Sequence, residues 1–228
     1  MVLQDNLFTD FEGDRWFERN RRALNAFDAS ADLPLKLIEL YGLSPEHVLE
    51  VGAANGFRLA AIHQRTGAEA VAVEPSAQAV LNGKASFPFI TFIRGTASAV
   101  PLRNAFDLVI VNFVLHWIDR QSLLGAVAEV DRLVRDGGHL LIGDFHPANR
   151  LQVRYHHLED REVYTYKQNY AGTFLASGLY HAVALLTAHH ASKQLQVRVA
   201  ESERIGAWLL RKDLRGHYLE SGVNGDRG

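Results

Sequence analysis

The feature that most constrains this chain is the run Val48-Leu49-Glu50-Val51-Gly52-Ala53-Ala54-Asn55-Gly56-Phe57. A short apolar segment follows the polar turn Ser44-Pro45-Glu46-His47, enters a loop with two glycines, and leads into a helix-forming stretch over 58–64. Strand, tight loop and helix in that order open an α/β unit. Gly52 and Gly56 allow a sharp turn and close approach of the backbone to a ligand, with no Cβ in the way. The N–H groups at the helix start favour polar or anionic groups. Such a loop also serves as a plain turn, so its neighbours decide what it means.

Two carboxylates flank it. Glu50 stands just before the first glycine, and Glu74 ends the next apolar run, 69–73. An acid at the tip of the second strand, about 20 residues past the loop, is placed to bind ribose hydroxyls. A dinucleotide site needs three spaced glycines so that pyrophosphate can rest on the helix start. Here the loop reads Glu50-x-Gly52-x-Ala54-x-Gly56, and an acid beside it repels phosphate and attracts an ammonium group. S-adenosylmethionine has an amine and no phosphate. At these residues the chain resembles the class I S-adenosylmethionine-dependent methyltransferases of the small-molecule type, whose first motif is acid-x-Gly-x-Gly-x-Gly. It departs from them at Ala54, where the family most often has glycine and where a small residue still fits.

The resemblance covers roughly residues 45–212, with the motifs in the right order. It implies an α/β fold, a doubly wound and mostly parallel seven-stranded sheet closed by a C-terminal antiparallel strand pair. It also implies S-adenosylmethionine as cofactor, held by Glu50, Gly52, Ala53, Ala54, Gly56, Glu74, Pro75, Thr96, Ala97, Asn112 and Phe113. In the resembled family the turn at Gly95-Thr96-Ala97 contacts adenine, commonly with an acid before the alanine. Thr96 stands in that place, so a hydroxyl, a backbone group or water must serve instead.

The pattern along the chain agrees. Helices are expected over 14–27, 33–41, 56–65, 76–84 and 122–135, and strands over 47–51, 69–74, 89–93, 106–111 and 140–143. The fourth of these strands is nearly continuous in apolar residues, as suits burial on both faces. Their alternation argues for a parallel sheet with helices on both sides. The segment 147–170 is polar and aromatic with no clean period. A short helix over 171–176 and two strands, 181–189 and 204–210, complete the pattern. The expected organisation is a single domain over 1–214 with a helical cover over about 1–44, and a polar tail over 215–228 that frays.

Methyl transfer is an in-line displacement at a sulfonium carbon, so a protein mainly positions the acceptor and excludes water. A hydroxyl acceptor gains from a general base, and histidine suits that near neutral pH. Ligands of such sheets sit beyond the carboxyl ends of the strands, which selects Asn112, His116, Trp117, Asp144 and His146. Related methyltransferases often carry a histidine after the fourth strand and an acid after the fifth. The resemblance therefore implies a catalytic role for His116 and Asp144, with His146 beside them. Against this, His116 could be a packed histidine, Trp117 a core residue and Asp144 a loop cap. Trp16, Trp117, Tyr155, His156 and Tyr166 are the expected acceptor contacts. The cluster Tyr155-His156-His157-Leu158-Glu159-Asp160 invites a metal, but adjacent histidines rarely converge on one ion, and no metal is expected.

Composition narrows the function classes. The 228 residues are 47% hydrophobic, carry a formal charge of −2 and include no cysteine. That leaves no general attraction to nucleic acid and no disulfide or thiolate site. The longest apolar stretch, 108–118, is too short for a bilayer and is broken by Asn112 and His116. No secretory leader is read at the start. The expectation is a cytoplasmic enzyme that methylates oxygen or nitrogen of a small-molecule acceptor, without nucleic-acid or membrane partners, with a homodimer left open. The alternatives are an NAD-dependent oxidoreductase, opposed by the missing third glycine and by Glu50, and a regulatory module that holds the cofactor without transfer.

Overall fold

Residues 4–196 and 198–215 are described by a computed structural model, and the tail expected from Arg215 onward lies almost wholly outside them. The chain begins with helix α1 (Gln4–Leu7), a π-helical turn (Phe8–Glu12) and α2 (Gly13–Asn25). Helix α3 (Leu33–Leu40) starts at Asp32, whose carboxylate accepts the Leu35 N–H at 3.0 Å, a side-chain cap with proline in the first turn. Strand β1 (His47–Val51), α4 (Phe57–Thr66), β2 (Glu69–Glu74), α5 (Ala77–Ser86) and β3 (Ile90–Arg94) follow. An irregular link leads to β4 (Phe106–Asn112), α6 (Leu123–Leu133) and β5 (Val134–Phe145). Then come β6 (Leu151–Arg154), β7 (Tyr164–Lys167), α7 (Ala171–Ala176), β8 (Tyr180–His189) and β9 (Arg204–Lys212).

Seven strands form one sheet in the order β3-β2-β1-β4-β5-β9-β8, and β6 with β7 forms a separate hairpin. β1 pairs in parallel with β2 on one side and β4 on the other. The chain winds outward from β1 to β3, returns to β4, and winds outward again. That reversal opens a crevice beyond the carboxyl ends of β1 and β4. β9 inserts antiparallel between β5 and β8, which makes the expected terminal pair.

Burial explains why these segments are strands. Val48, Leu49, Val51, Leu108, Val109, Ile110 and Val111 are all buried, each contributing about 1.5–3 kcal/mol. One face packs on α3, α4 and α5 through Leu37, Ile38, Leu59, Ile62 and Val80. The other packs on α6 and α7 through Val130, Leu133 and Phe174.

Three local expectations change. β5 begins at Val134 rather than at 140, because Val134 pairs with Phe106 before the register shifts between Phe106 and Leu108. Gly137, at φ 74°, lies within that strand. The stretch 147–170 contains the β6–β7 hairpin, whose four-residue strands leave Gln152, Val153 and Arg154 exposed and so show no buried alternation. The N-terminal cover is helical from Gln4, not only from 14. It is tied down by side chains: Gln4 Nε2 donates to the carbonyls of Trp117 at 2.6 Å and Tyr164 at 3.0 Å. Asp14 accepts from Ser76 Oγ at 2.6 Å and from the Gln78 N–H at 3.1 Å. Arg94 reaches the Thr9 carbonyl at 2.6 Å.

Candidate active site

The loop after β1 holds its shape by backbone bonds. The N–H groups of Gly52 and Ala53 donate to the Val73 carbonyl at 2.8 and 3.3 Å. Gly52 and Gly56 have φ of 75° and 82°, which favours glycine. A Cβ on Gly52 would strike Val114, and one on Gly56 would lie 2.7 Å from Phe92 Cζ. Gly56 therefore answers to the core beneath α5, and neither it nor the buried Ala53 lines the cavity. Both were expected at the cofactor, and the structure places them behind the cavity wall. Ala54 does line the cavity and is itself left-handed, at φ 48°. Holding an alanine there costs about 1–2 kcal/mol. Ala54→Gly is expected to stabilise the fold by about 1 kcal/mol, read as a raised urea midpoint at unchanged slope.

Glu74 sits at the tip of β2, buried yet lining the cavity. Its Oε2 accepts the Ala54 N–H at 2.9 Å and its Oε1 the Ser76 N–H at 2.9 Å. A carboxylate offers about four acceptor sites, so capacity remains for two hydroxyls. Burial pushes its carboxyl up to about 7, against the pull of those two N–H groups.

Glu50 is placed otherwise than expected. It is fully buried, does not line the cavity, and pairs with Arg58. Arg58 also forks onto Asp32, with Nη2 at 2.8 Å and Nε at 3.0 Å. Burial pushes the Glu50 carboxyl up to about 7 in spite of Arg58. Burial also works against the Arg58 cation, but the charges of Asp32 and Glu50 outweigh it and raise its pKa. Arg58 and Asp32, not Glu50, reach the cavity wall. The acid before the loop is thus already paired, and Asp32, which shares the same guanidinium, is the carboxylate of this cluster that reaches the wall. The signal for Arg58 was its place four residues before Ile62, on the buried face of α4.

On the far side, a 3-10 turn (Leu115–Trp117) carries His116 to Asp144 at the end of β5. His116 Nδ1 lies 2.9 Å from Asp144 Oδ1, and both side chains are buried. The approach is close but poorly aligned, leaving Nδ1 without a full hydrogen bond; such bonds often tighten only around a bound ligand. Asp144 is fixed by the backbone: the N–H groups of Phe145 and His116 donate to it at 2.7 and 3.2 Å. Aromatic rings enclose this pair. Phe113 lies 6.0 Å from His116 and 5.4 Å from Phe145, and His190 lies 5.2 Å from Phe145.

The cavity these residues line has a volume of about 710 Å³ and runs from the cover to β9. Of the residues expected to hold cofactor or acceptor, Trp16, Gly52, Pro75, Thr96, Ala97, Asn112, Phe113, His116 and Trp117 line it. Besides Glu50, Ala53 and Gly56, five expected residues do not: Asp144, held at the end of β5 against His116, and His146, Tyr155, His156 and Tyr166. His146 packs its ring 6.0 Å from Trp208 and against Gly206, where β9 pairs with β5. Tyr155 lies buried behind Trp117, donating from its hydroxyl to Glu12 at 2.7 Å and accepting from Arg19 at 2.6 Å. Tyr166 lies under the Arg120 guanidinium at 4.0 Å, and His156 is exposed beside His157. The β6–β7 hairpin spends its tyrosines on the cover and on Arg120 rather than on the cavity. Asp32, Arg58, His190 and Lys193 line the cavity and were not anticipated.

This geometry is that of an α/β fold with a ligand cleft at its switch point, and comparison with known proteins gives the class. Residues 49–142 match the methyltransferase domain family. An uncharacterized methyltransferase of Mycobacterium bovis is 35% identical over 94 residues, covering 41% of this chain and 37% of that one. A demethylmenaquinone methyltransferase of Renibacterium salmoninarum is 32% identical over 114 residues, covering 49% of this chain and 47% of its own length. The chain thus spans less than half the length of these two curated relatives. In fold it is similar to the Burkholderia thailandensis 1,6-didemethyltoxoflavin-N1-methyltransferase, solved with S-adenosylhomocysteine bound. The TM-score is 0.67 at 17% identity, over 91% of this chain and 87% of that one. The segment 49–142 thus matches a methyltransferase domain, and the fold around it is similar to that of a solved methyltransferase. Among the described residues no helix is long and apolar enough to cross a membrane.

Proposed function

We propose that this chain binds S-adenosylmethionine and transfers methyl to an oxygen or nitrogen of a small-molecule acceptor. The observation that carries the reading is the buried His116–Asp144 pair, whose histidine lines the same cavity as Glu74 and the left-handed loop. The residues fit the cofactor: Glu74 has acceptor capacity left after its two backbone bonds, and Asp32, though bonded to Arg58, is an acid on the same cavity wall to which an amine could be drawn. S-adenosylmethionine, when bound, supplies a methyl group already activated on sulfonium. Glu74 takes the ribose hydroxyls. Pro75, Thr96 and Ala97 would hold the base, and Asn112 and Phe113 would border the reacting end, all five being in the lining of the same cavity. His116 takes the proton of a hydroxyl acceptor. Asp144 holds the imidazole tautomer and steadies the imidazolium that forms. Phe113, Phe145 and Trp117 keep water out.

A volume of about 710 Å³ lies within the roughly 300–1,000 Å³ of small-molecule sites. Trp16, Asn20, Ala23 and Leu24 of the cover line one side of it. The similar Burkholderia thailandensis structure holds 1,6-didemethyltoxoflavin beside S-adenosylhomocysteine, which supports a small acceptor. Against a dinucleotide stands the loop itself, with Ala54 in place of a glycine.

Calorimetric titration tests the cofactor half. Glu74→Ala is expected to weaken S-adenosylmethionine by about 1.5–3 kcal/mol, or roughly 10- to 150-fold, because charge-assisted bonds to hydroxyls are lost. Parent affinity should also fall as the pH drops below about 7, where Glu74 takes up a proton. Unchanged affinity in the variant removes Glu74 from the ribose.

A further inference from the structure

We propose that Lys193 is the anion-binding residue of the cleft and receives a ligand carboxylate. The inference rests on the methyltransferase reading. The carboxylate is either the one on the amino-acid head of the methyl donor or one on the acceptor.

Lys193 closes the turn after β8. Its N–H donates to the His189 carbonyl at 2.8 Å, and the His189 N–H donates to the Gln194 carbonyl at 3.1 Å. Its φ is 56°. Glycine or asparagine would close such a turn with less strain, so the turn alone gives no reason for lysine. Three non-glycine residues among those described are left-handed: Ala54, Phe113 and Lys193. All three line this one cavity. Backbone strain of this kind gathers at ligand sites.

The charge on Lys193 is uncommitted. Its side chain is half-buried, its Nζ lies 5.5 Å from the Phe113 ring centre, and it makes no ion pair with a described carboxylate. Asp32 acts on it from a distance but is bonded to Arg58. Arg58, the other basic side chain of the lining apart from the histidines, is held between two acids. Burial lowers the pKa of Lys193, the mark of a cation held away from water without a bonded counter-charge. A carboxylate arriving beside Phe113, Phe145 and His190 would meet that cation among ring faces, where attraction is screened less than in water.

The full chain is titrated as parent, Lys193→Met and Lys193→Arg. The donor arm uses S-adenosylhomocysteine and 5′-methylthioadenosine, which lacks the amino-acid head. The acceptor arm titrates protein saturated with S-adenosylhomocysteine, using benzoate and benzyl alcohol. A loss of about tenfold or more for S-adenosylhomocysteine in Lys193→Met, with methylthioadenosine unchanged and recovery in Lys193→Arg, assigns the residue to the donor carboxylate. A benzoate preference over benzyl alcohol that the parent shows, Lys193→Met loses and Lys193→Arg keeps assigns it to the acceptor. The inference is overturned if Lys193→Met binds S-adenosylhomocysteine as the parent does and benzoate preference is either absent from the parent or retained in the variant. A parent that binds neither nucleoside overturns the cofactor reading itself, and that result is separate from one confined to the variant.

Discussion

Replacing His116 by alanine is expected to lower turnover on a hydroxyl acceptor by about 10²–10⁴-fold, the usual worth of a positioned general base. S-adenosylmethionine affinity should stay within a few-fold, because the proposed ribose contact belongs to Glu74 and not to His116. His116 is buried beside Asp144, whose own carboxylate is fixed by two backbone N–H groups. That leaves the imidazole with one orientation and one task. The parent rate should fall on acidification, since only neutral imidazole accepts a proton. Steady-state kinetics across pH, with calorimetry on both proteins, checks this. A pH-independent rate, with the variant within a few-fold of the parent, would mean that His116 only shapes the pocket, as suits an amine acceptor.

Arg58→Met is expected to have the largest effect on stability, a loss of about 3–5 kcal/mol. Arg58 is nearly fully buried and joins the β1 acid Glu50 to Asp32, the cap of α3. Removing it leaves two carboxylates facing each other with their desolvation cost and no counter-charge. Glu50 already has one oxygen buried without a partner. Changing Glu50→Gln in the same chain should recover part of the loss, because one stranded charge is then gone. Urea unfolding of the single and double variants gives the comparison. A single variant within about 1 kcal/mol of the parent would show that water reaches the pair and that its burial has been overestimated.

The parts of the fold that were legible are those where one physical cause acts locally. A run of β-branched residues buried on both faces marked β4, and a glycine loop between an apolar run and an amphipathic helix marked β1 and α4. Glu74 was legible because strand-tip geometry alone fixes its place. His116 and Asp144 were found on separate loops by chain order and by family likeness, and the sheet brings them within 2.9 Å. What escaped depends on distant partners. Glu50 was read as facing a ligand because nothing local shows Arg58 folding back to it or Asp32 arriving from the cover. Gly56 was read as a ligand approach, whereas Phe92, 36 positions on, is what a Cβ would strike. His146 and Tyr155 carry the right chemistry at the right distance along the chain, but the pairing of β9 with β5 and the clamp formed by Glu12 and Arg19 turn them elsewhere. Lys193 was hidden because left-handed backbone at a lysine has no signature in sequence.

Methyl transfer from labelled S-adenosylmethionine into a fractionated metabolite pool tests the central claim most directly. The account predicts that label appears in a low-mass fraction with the parent protein and falls sharply there with Glu74→Ala at sub-saturating cofactor. Label absent from every low-mass fraction, or confined to protein or nucleic acid, would contradict it.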